Sequence, residues 1–308
     1  MDDSRPLMLG LVGESAAGKT TLARGVVRLL GRGGVTPLCL DDYHRYTRAE
    51  LLARNLTAAN PAANNLALMA SHLAELRAGR QIVKPLYDHR SGTIRGPEAV
   101  APSGLVLAYG LLTLTPPSSP ELFDLTVYLD PDPELRRAWR LARDVSERGY
   151  SAEEVATRAP ARERDAARFI QVQRPRADLV VRFRPNSGPN GSADLDAELV
   201  LRDRYASDQL CAELGAAAIP GLQCAYLTAD EDGRSGHRIV LDAEIGATCA
   251  ARAADIIWGH LPGIAPLELT LLGQVRNDAQ QMCHAAALAL VQLLIATQLL
   301  RRRGASGR

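Results

Sequence analysis

The sequence predicts an α/β fold: a parallel sheet with flanking helices, followed by a smaller α+β C-terminal region. Three observations predict it. Short apolar runs of strand length recur over residues 1–185, helical patterns separate them, and a cluster of Gly, Pro, Asn and Ser at Pro185–Ser192 then breaks the rhythm. The expected division is 1–185 and 186–308, the second part being either a separate region or an extension of the same sheet.

The elements follow in order. Leu7–Val12 is a continuous apolar run and reads as a buried strand. Thr21–Leu30 carries Leu22, Val26, Leu29 and Leu30 on one side of a helix. Thr36–Leu40 is a second strand, ending at Asp41-Asp42, and Leu66–Ala78 is a helix with Leu68, Met69, His72, Leu73 and Leu76 on one face. Leu105–Tyr109, Leu125–Leu129 and Leu179–Phe183 are further buried strands. Asp132–Arg148 is an arginine-rich amphipathic helix whose acidic start suits the helix dipole. Beyond the boundary, Glu198–Arg202 and Arg238–Leu241 are strand candidates, and a helix is expected from about Asp278 to Arg303.

Composition narrows the function classes. Across 308 residues, 46% hydrophobic and 23% charged content suits a soluble globular enzyme, and a net charge of +1 points to no nucleic-acid or acidic-membrane partner. Gln292 and Gln298 interrupt the apolar run Ala285–Leu300, which reads as a buried helix, so no membrane partner is expected. No leader pattern opens the chain, and Cys39, Cys211, Cys224, Cys249 and Cys283 show no paired spacing. A cytoplasmic setting is expected, without structural zinc. The basic residues include only two lysines, Lys19 and Lys84. A compact ammonium retained amid so many arginines suggests positions where a planar guanidinium does not substitute.

Lys19 falls in the most specific motif. Gly13, Glu14, Ser15, Ala16, Ala17, Gly18, Lys19 and Thr20 spell GxxxxGK[ST] between a strand and a helix, with Thr21 continuing into that helix. The glycines let backbone N–H groups curl round phosphates, and the helix N-terminus adds a positive dipole end. Lys19 is expected to reach the β/γ oxygens and the Thr20 hydroxyl to bind Mg²⁺. The fold expectation thereby becomes a P-loop NTPase-type sheet binding ATP.

The next strand ends in Asp41-Asp42-Tyr43-His44, where a carboxylate faces the ligand crevice of such a sheet and can accept a proton from an attacking hydroxyl. His44 and Arg48 suit an anionic substrate. The run CLDDYHRYTR, from Cys39 to Arg48, resembles the CLDDYHSLDR stretch of plant and cyanobacterial phosphoribulokinases. The likeness continues in Asn60–Leu66, in Lys84–His89 with Ser91–Ile94, and in Phe123–Asp130, Trp139, Arg143-Asp144 and Glu147–Gly149. It covers about the first 180 residues, in consistent order.

The resemblance implies ATP-dependent phosphorylation of the C1 hydroxyl of ribulose 5-phosphate, with Asp41 as base. It further implies substrate contacts from His44, Arg48, Lys84, Tyr87, His89 and Arg148. Arg143 and Asp144 would act from a mobile helix and the enzyme would be a homodimer, while Mg²⁺ is expected at Thr20 and at a carboxylate, Asp42 or Asp144, that stands in for a glutamate this chain lacks. Asp165, in Ala161–Asp165, weakly echoes the family's ARKPDF.

Two departures stand out. Where the family and its uridine-kinase relatives read VIEGLH, this chain places Tyr109 at the glutamate and Leu112 at the histidine. A tyrosine, with an ordinary pKa of about 10, offers no anion to a metal at neutral pH. Ala17 stands where plant-type enzymes carry the partner cysteine for Cys39, so their thiol switch is expected to be absent. Two alternatives stay open: a catalytically impaired nucleotide-binding homologue with a regulatory role, and a uridine-kinase-like nucleoside or sugar kinase.

Overall fold

The computed structural model describes residues 5–117, 120–186, 195–202, 208–261, 269–276 and 281–305. The chain divides into two compact units, each assembled from separate stretches. Met1–Lys19, Gly33–Leu129 and Pro133–Ala177 form the first, and Thr20–Arg32, Asp130–Asp132 and Asp178–Arg308 the second. Residues 187–192 of the glycine-rich stretch lie outside the described residues.

The first unit opens with β1 (Leu7–Gly13), whose seven residues are all buried. A continuous apolar run is what a strand covered on both faces requires. The phosphate loop leads into α1 (Lys19–Leu30), which belongs to the second unit from Thr20 onward. Next come β2 (Val35–Cys39), α2 (Arg48–Ala53), α3 (Leu66–Arg77), β3 (Ile82–Asp88) and β4 (Thr93–Val100). These are followed by β5 (Leu105–Gly110), β6 (Leu125–Leu129), α4 (Pro133–Arg148) and α5 (Ala152–Asp165). Strands β2, β5, β1 and β6 lie side by side in that order, all parallel, as the alternating pattern predicts. Asp124 fastens β6 to β1: its carboxylate accepts the Met8 N–H at 2.8 Å and pairs with Arg77 of α3 at 3.2 Å.

Local chemistry sets the limits of the two helices that face the site. Pro133 opens α4 at a position that needs no N–H donor, Arg148 sits in its last turn, and Gly149 at φ +70° stops it. Ser151 and Glu154 form a capping box that starts α5 three residues later. Strands β3 and β4 pair as an antiparallel ribbon, and β4 is exposed along nearly its whole length. Without apolar alternation, β4 left no strand signal in the sequence.

The second unit holds β7 (Leu179–Pro185), β8 (Leu195–Arg202), α6 (Asp208–Ala216), β9 (Leu222–Leu227), β10 (Gly236–Leu241), α7 (Ala247–Gly259) and α8 (Ala286–Ala305). The order β7-β8-β10-β9 is antiparallel throughout, so this region is α+β. The helix expected from about Asp278 begins instead at Ala286, because Met282–His284 is exposed and pairs with Gln274–Arg276. The buried Gln292 of α8 lies against Gly25, where a Cβ would come within 1.9 Å of its side chain. Among the described residues, no helix is long and apolar enough to cross a membrane.

Candidate active site

The candidate site lies in the first unit, at the C-terminal ends of β1, β2 and β5. The phosphate loop leaves β1 at Gly13, where a Cβ would meet the Leu129 carbonyl at 2.7 Å. Ala16 (φ +67°) and Gly18 (φ +89°) adopt the left-handed conformation, which turns successive N–H groups toward one concavity. Lys19 is buried, and its Nζ donates to the Gly13 and Glu14 carbonyls at 2.7 and 2.8 Å. Burial pulls its pKa down to about 8, with the charge of Asp41 opposing part of that shift. Thr20 and Thr21 begin the second unit, and Thr20 is exposed.

Asp41 follows β2 in a short 3-10 turn, where its Oδ1 accepts the Leu111 N–H at 2.9 Å. Gly110 makes room for this bond, since a Cβ there would sit 2.8 Å from the Leu40 side chain and 3.0 Å from Asp41 Oδ1. Burial alone would raise the Asp41 pKa. The charges of Lys19, His44 and His89 and the Leu111 N–H outweigh it and hold the carboxyl below its ordinary value.

His44 is buried, and its Nδ1 lies 2.7 Å from Asn64 Oδ1. Asn64 Nδ2 donates to the Ala58 and Asn60 carbonyls, so its Oδ1 must accept. The proton between them therefore sits on His44 Nδ1, which leaves Nε2 for a ligand. The His44 ring meets Tyr87 edge-on at 4.8 Å, and Tyr87 meets His89 at 5.0 Å. Burial pushes the Tyr87 hydroxyl up and His89 down. Arg48 is held by the His89 carbonyl at 2.7 Å and the Arg148 carbonyl at 3.2 Å.

The opposite wall is α4, continued by α5. Asp144 is 1% exposed and is shared by three arginines: Arg143 at 2.7 Å, Arg162 at 3.5 Å and Arg148 at 3.6 Å. Arg143 also donates to Ser15 Oγ at 2.9 Å, while Glu14 pairs with Arg136 and accepts from Gln171 at 3.0 Å. The helix and the phosphate loop are thus tied at two points. Burial, then the charges of Arg162 and Arg143, pull the Arg140 pKa down to about 9. Thr57 donates to Asp165 at 2.7 Å, which fastens the far end of α5.

Between these walls lies a pocket of about 280 Å³. It is lined by Ser15, Asp41, His44, Arg48, Tyr87 and His89 on one side, and by Arg140, Asp144, Arg148, Tyr150, Arg158 and Arg162 on the other. Two of the residues expected at the site lie outside this lining. Asp42, expected to bind metal, has Oδ2 on Lys84 Nζ at 2.5 Å and Oδ1 on the Tyr87 N–H at 3.1 Å. Lys84, expected to bind substrate, is 3% exposed and spends its ammonium on Asp42 and on Glu98 at 3.0 Å. Both are absent from the lining because β3 packs against the turn after β2 and buries the pair. Tyr109 lies in β5 opposite Leu11 and Cys39 and is also not among the lining residues. Sequence reasoning missed Arg140, Arg158, Arg162 and Tyr150. The signal available for Arg140 was its place four residues before Asp144, and for Arg162 its place in the Ala161–Asp165 segment.

Comparison with known proteins agrees with this geometry. Residues 8–187 match the family model described as Phosphoribulokinase / Uridine kinase family. The chain is 37% identical over 181 residues to the phosphoribulokinase of Synechocystis sp., covering 59% of this chain and 54% of that protein. It is 31% identical over 221 residues to the chloroplastic phosphoribulokinase of Mesembryanthemum crystallinum, covering 65% and 56%. A uridine kinase of Brevibacillus brevis is 34% identical over 157 residues, covering 49% and 72%. The chain thus spans about half the length of the curated phosphoribulokinases it matches. Among solved structures, a phosphoribulokinase from Rhodobacter spheroides aligns with a TM-score of 0.60 at 19% identity, covering 78% of this chain and 91% of that one, a likeness of fold. With the family model covering more than half of the chain, and the phosphate loop and Asp41 within the match, this protein belongs to the phosphoribulokinase/uridine kinase family.

Proposed function

We propose that this kinase transfers the γ-phosphoryl group of ATP to the C1 hydroxyl of ribulose 5-phosphate. The observation that carries the reading is the pocket itself. A buried, ionised Asp41 faces a wall on which arginines outnumber carboxylates, next to a loop built to hold phosphates. Asp41 takes the hydroxyl proton as the oxygen attacks, and its lowered pKa keeps it ready as a base across neutral pH. Lys19 stabilises the transferring phosphoryl oxygens, and Arg143, already on Ser15, closes over them. His44, Arg48 and Arg148 orient the sugar phosphate. The left-handed Ala16 and Gly18 and the buried Lys19 suit a nucleoside triphosphate. Bound Mg²⁺ would neutralise charge on those oxygens. The loop motif offers the Thr20 hydroxyl for it.

The surplus of positive charge favours a phosphate-bearing acceptor over a neutral nucleoside. The test is ADP release from MgATP by the purified protein, with ribulose 5-phosphate, with uridine and with neither. Release that requires ribulose 5-phosphate supports the reading, and release with uridine alone refutes it. Bound nucleotide with no release from either acceptor would favour the impaired homologue suggested by Tyr109.

A further inference from the structure

Three guanidinium groups from two helices converge on one aromatic ring. The Cζ atoms of Arg48 (α2), Arg158 and Arg162 (both α5) lie 4.5, 4.9 and 5.7 Å from the centroid of Tyr150. Gly149, with its positive φ, delivers the ring into the pocket, and the Tyr150 N–H is fixed on the Asp144 carbonyl at 3.1 Å. Among the described residues no carboxylate pairs with Arg48 or Arg158, and the Arg158 guanidinium makes no hydrogen bond. The Nη1 of Arg162 is buried without a hydrogen bond, although it shares Asp144 as an ion pair at 3.5 Å. Like charges so close repel, and a carboxylate placed among them would cancel the charge and compete with an incoming anion. A ring face attracts guanidinium groups while leaving their charge and their in-plane N–H donors available.

We propose that Tyr150 is a positioning residue for acceptor binding: its ring gathers Arg48, Arg158 and Arg162 on the pocket wall, where Asp144 offsets only part of their charge, and so selects acceptors that carry a phosphate monoester. This rests on the kinase reading above for the identity of the acceptor and on the ring geometry alone for the role of Tyr150.

The experiment is calorimetric titration of the full chain with ribulose 5-phosphate and, separately, with inorganic phosphate, alongside steady-state kinetics. Wild type, Tyr150→Phe and Tyr150→Leu are compared. Each lost contact corresponds to roughly two- to five-fold in affinity, so Tyr150→Leu should weaken sugar-phosphate binding roughly ten- to hundred-fold. KM should rise accordingly, with kcat changed much less. Tyr150→Phe keeps the ring and should bind within about two-fold of wild type. Wild-type affinity in Tyr150→Leu, or an equal loss in Tyr150→Phe, overturns the proposal. Thermal melting checks the fold of Tyr150→Leu. Should that variant not fold, Arg158→Gln removes one cation and leaves the ring, and an unchanged affinity in it is equally fatal. Ring-dependent binding of ribulose 5-phosphate without turnover supports this inference while overturning the proposed reaction. A wild type that binds neither phosphate compound overturns the inference itself.

Discussion

Two buried aspartates in the same unit are paired with cations in opposite ways. Asp42 meets one ammonium, Lys84, which Glu98 also contacts, and its second oxygen takes a backbone N–H. That cluster is saturated and closed, and it holds β3 against the turn after β2. Asp144 meets three guanidinium groups, with Arg140 close enough to feel their charge, and Asp144, Arg140, Arg148 and Arg162 border a cavity. That cluster is short of negative charge. A buried pair whose polar atoms are satisfied by protein groups suits a structural role, whereas a surplus of cations beside a cavity suits the anionic ligand proposed above. Residue type alone did not separate the two.

The largest effect is expected at the carboxylate that belongs to neither cluster. Asp41→Asn should lower kcat by about 10³-fold or more while leaving nucleotide binding within a few-fold, because only the proton acceptor is lost. Equal loss of ATP binding, measured by titration, would mean that Asp41 serves the loop instead. The comparison itself is sharpened by stability. Lys84→Met leaves Asp42 buried without its cation and should cost about 3–5 kcal/mol in urea unfolding, with no recovery in added phosphate. Asp144→Asn should also destabilise, but added phosphate should restore part of the loss by screening the arginines. Identical responses to phosphate in the two variants would erase the distinction.

A smaller effect follows from Lys19, whose pKa is about 8 when folded against an ordinary 10.5. Between these values the unfolded chain binds more protons than the folded one, so the Lys19 contribution to stability rises with pH in that window. A triphosphate favours the protonated amine, so nucleotide affinity should fall above about pH 8, by at most about ten-fold per unit. A flat titration of affinity from pH 7 to 9.5 would contradict this. The smallest effect concerns Cys39, where burial, assisted by the charges of Asp41 and Asp42, pushes the thiol well up and keeps it unreactive. Reductant should leave activity unchanged, and reversible oxidative inactivation traced to Cys39 would refute that.

Legibility varied with the kind of signal. The strands β1, β5 and β6 were readable because burial on both faces demands nearly continuous apolar runs, and the phosphate loop because its spacing is nearly unique to its chemistry. Strand β4 was silent because its side chains face water. Asp41 was placed by its position at a strand end, whereas Asp42 and Lys84 carry the same residue types as a site and are instead buried against each other. In α4, Arg143 and Arg148 were assigned to the site through the resemblance, whereas nothing in the spacing revealed that Arg162 of α5 shares the same carboxylate.

The sequence by itself determined the order of elements, the loop that cradles phosphate and the aspartate beside it, because these depend on local periodicity, chain geometry and adjacency along the backbone. Tertiary structure alone decided which charges cancel and which remain. That balance depends on distances between groups far apart in the chain, such as Asp42 with Lys84 or Tyr150 with Arg48, and on burial that strengthens every charge it leaves uncompensated.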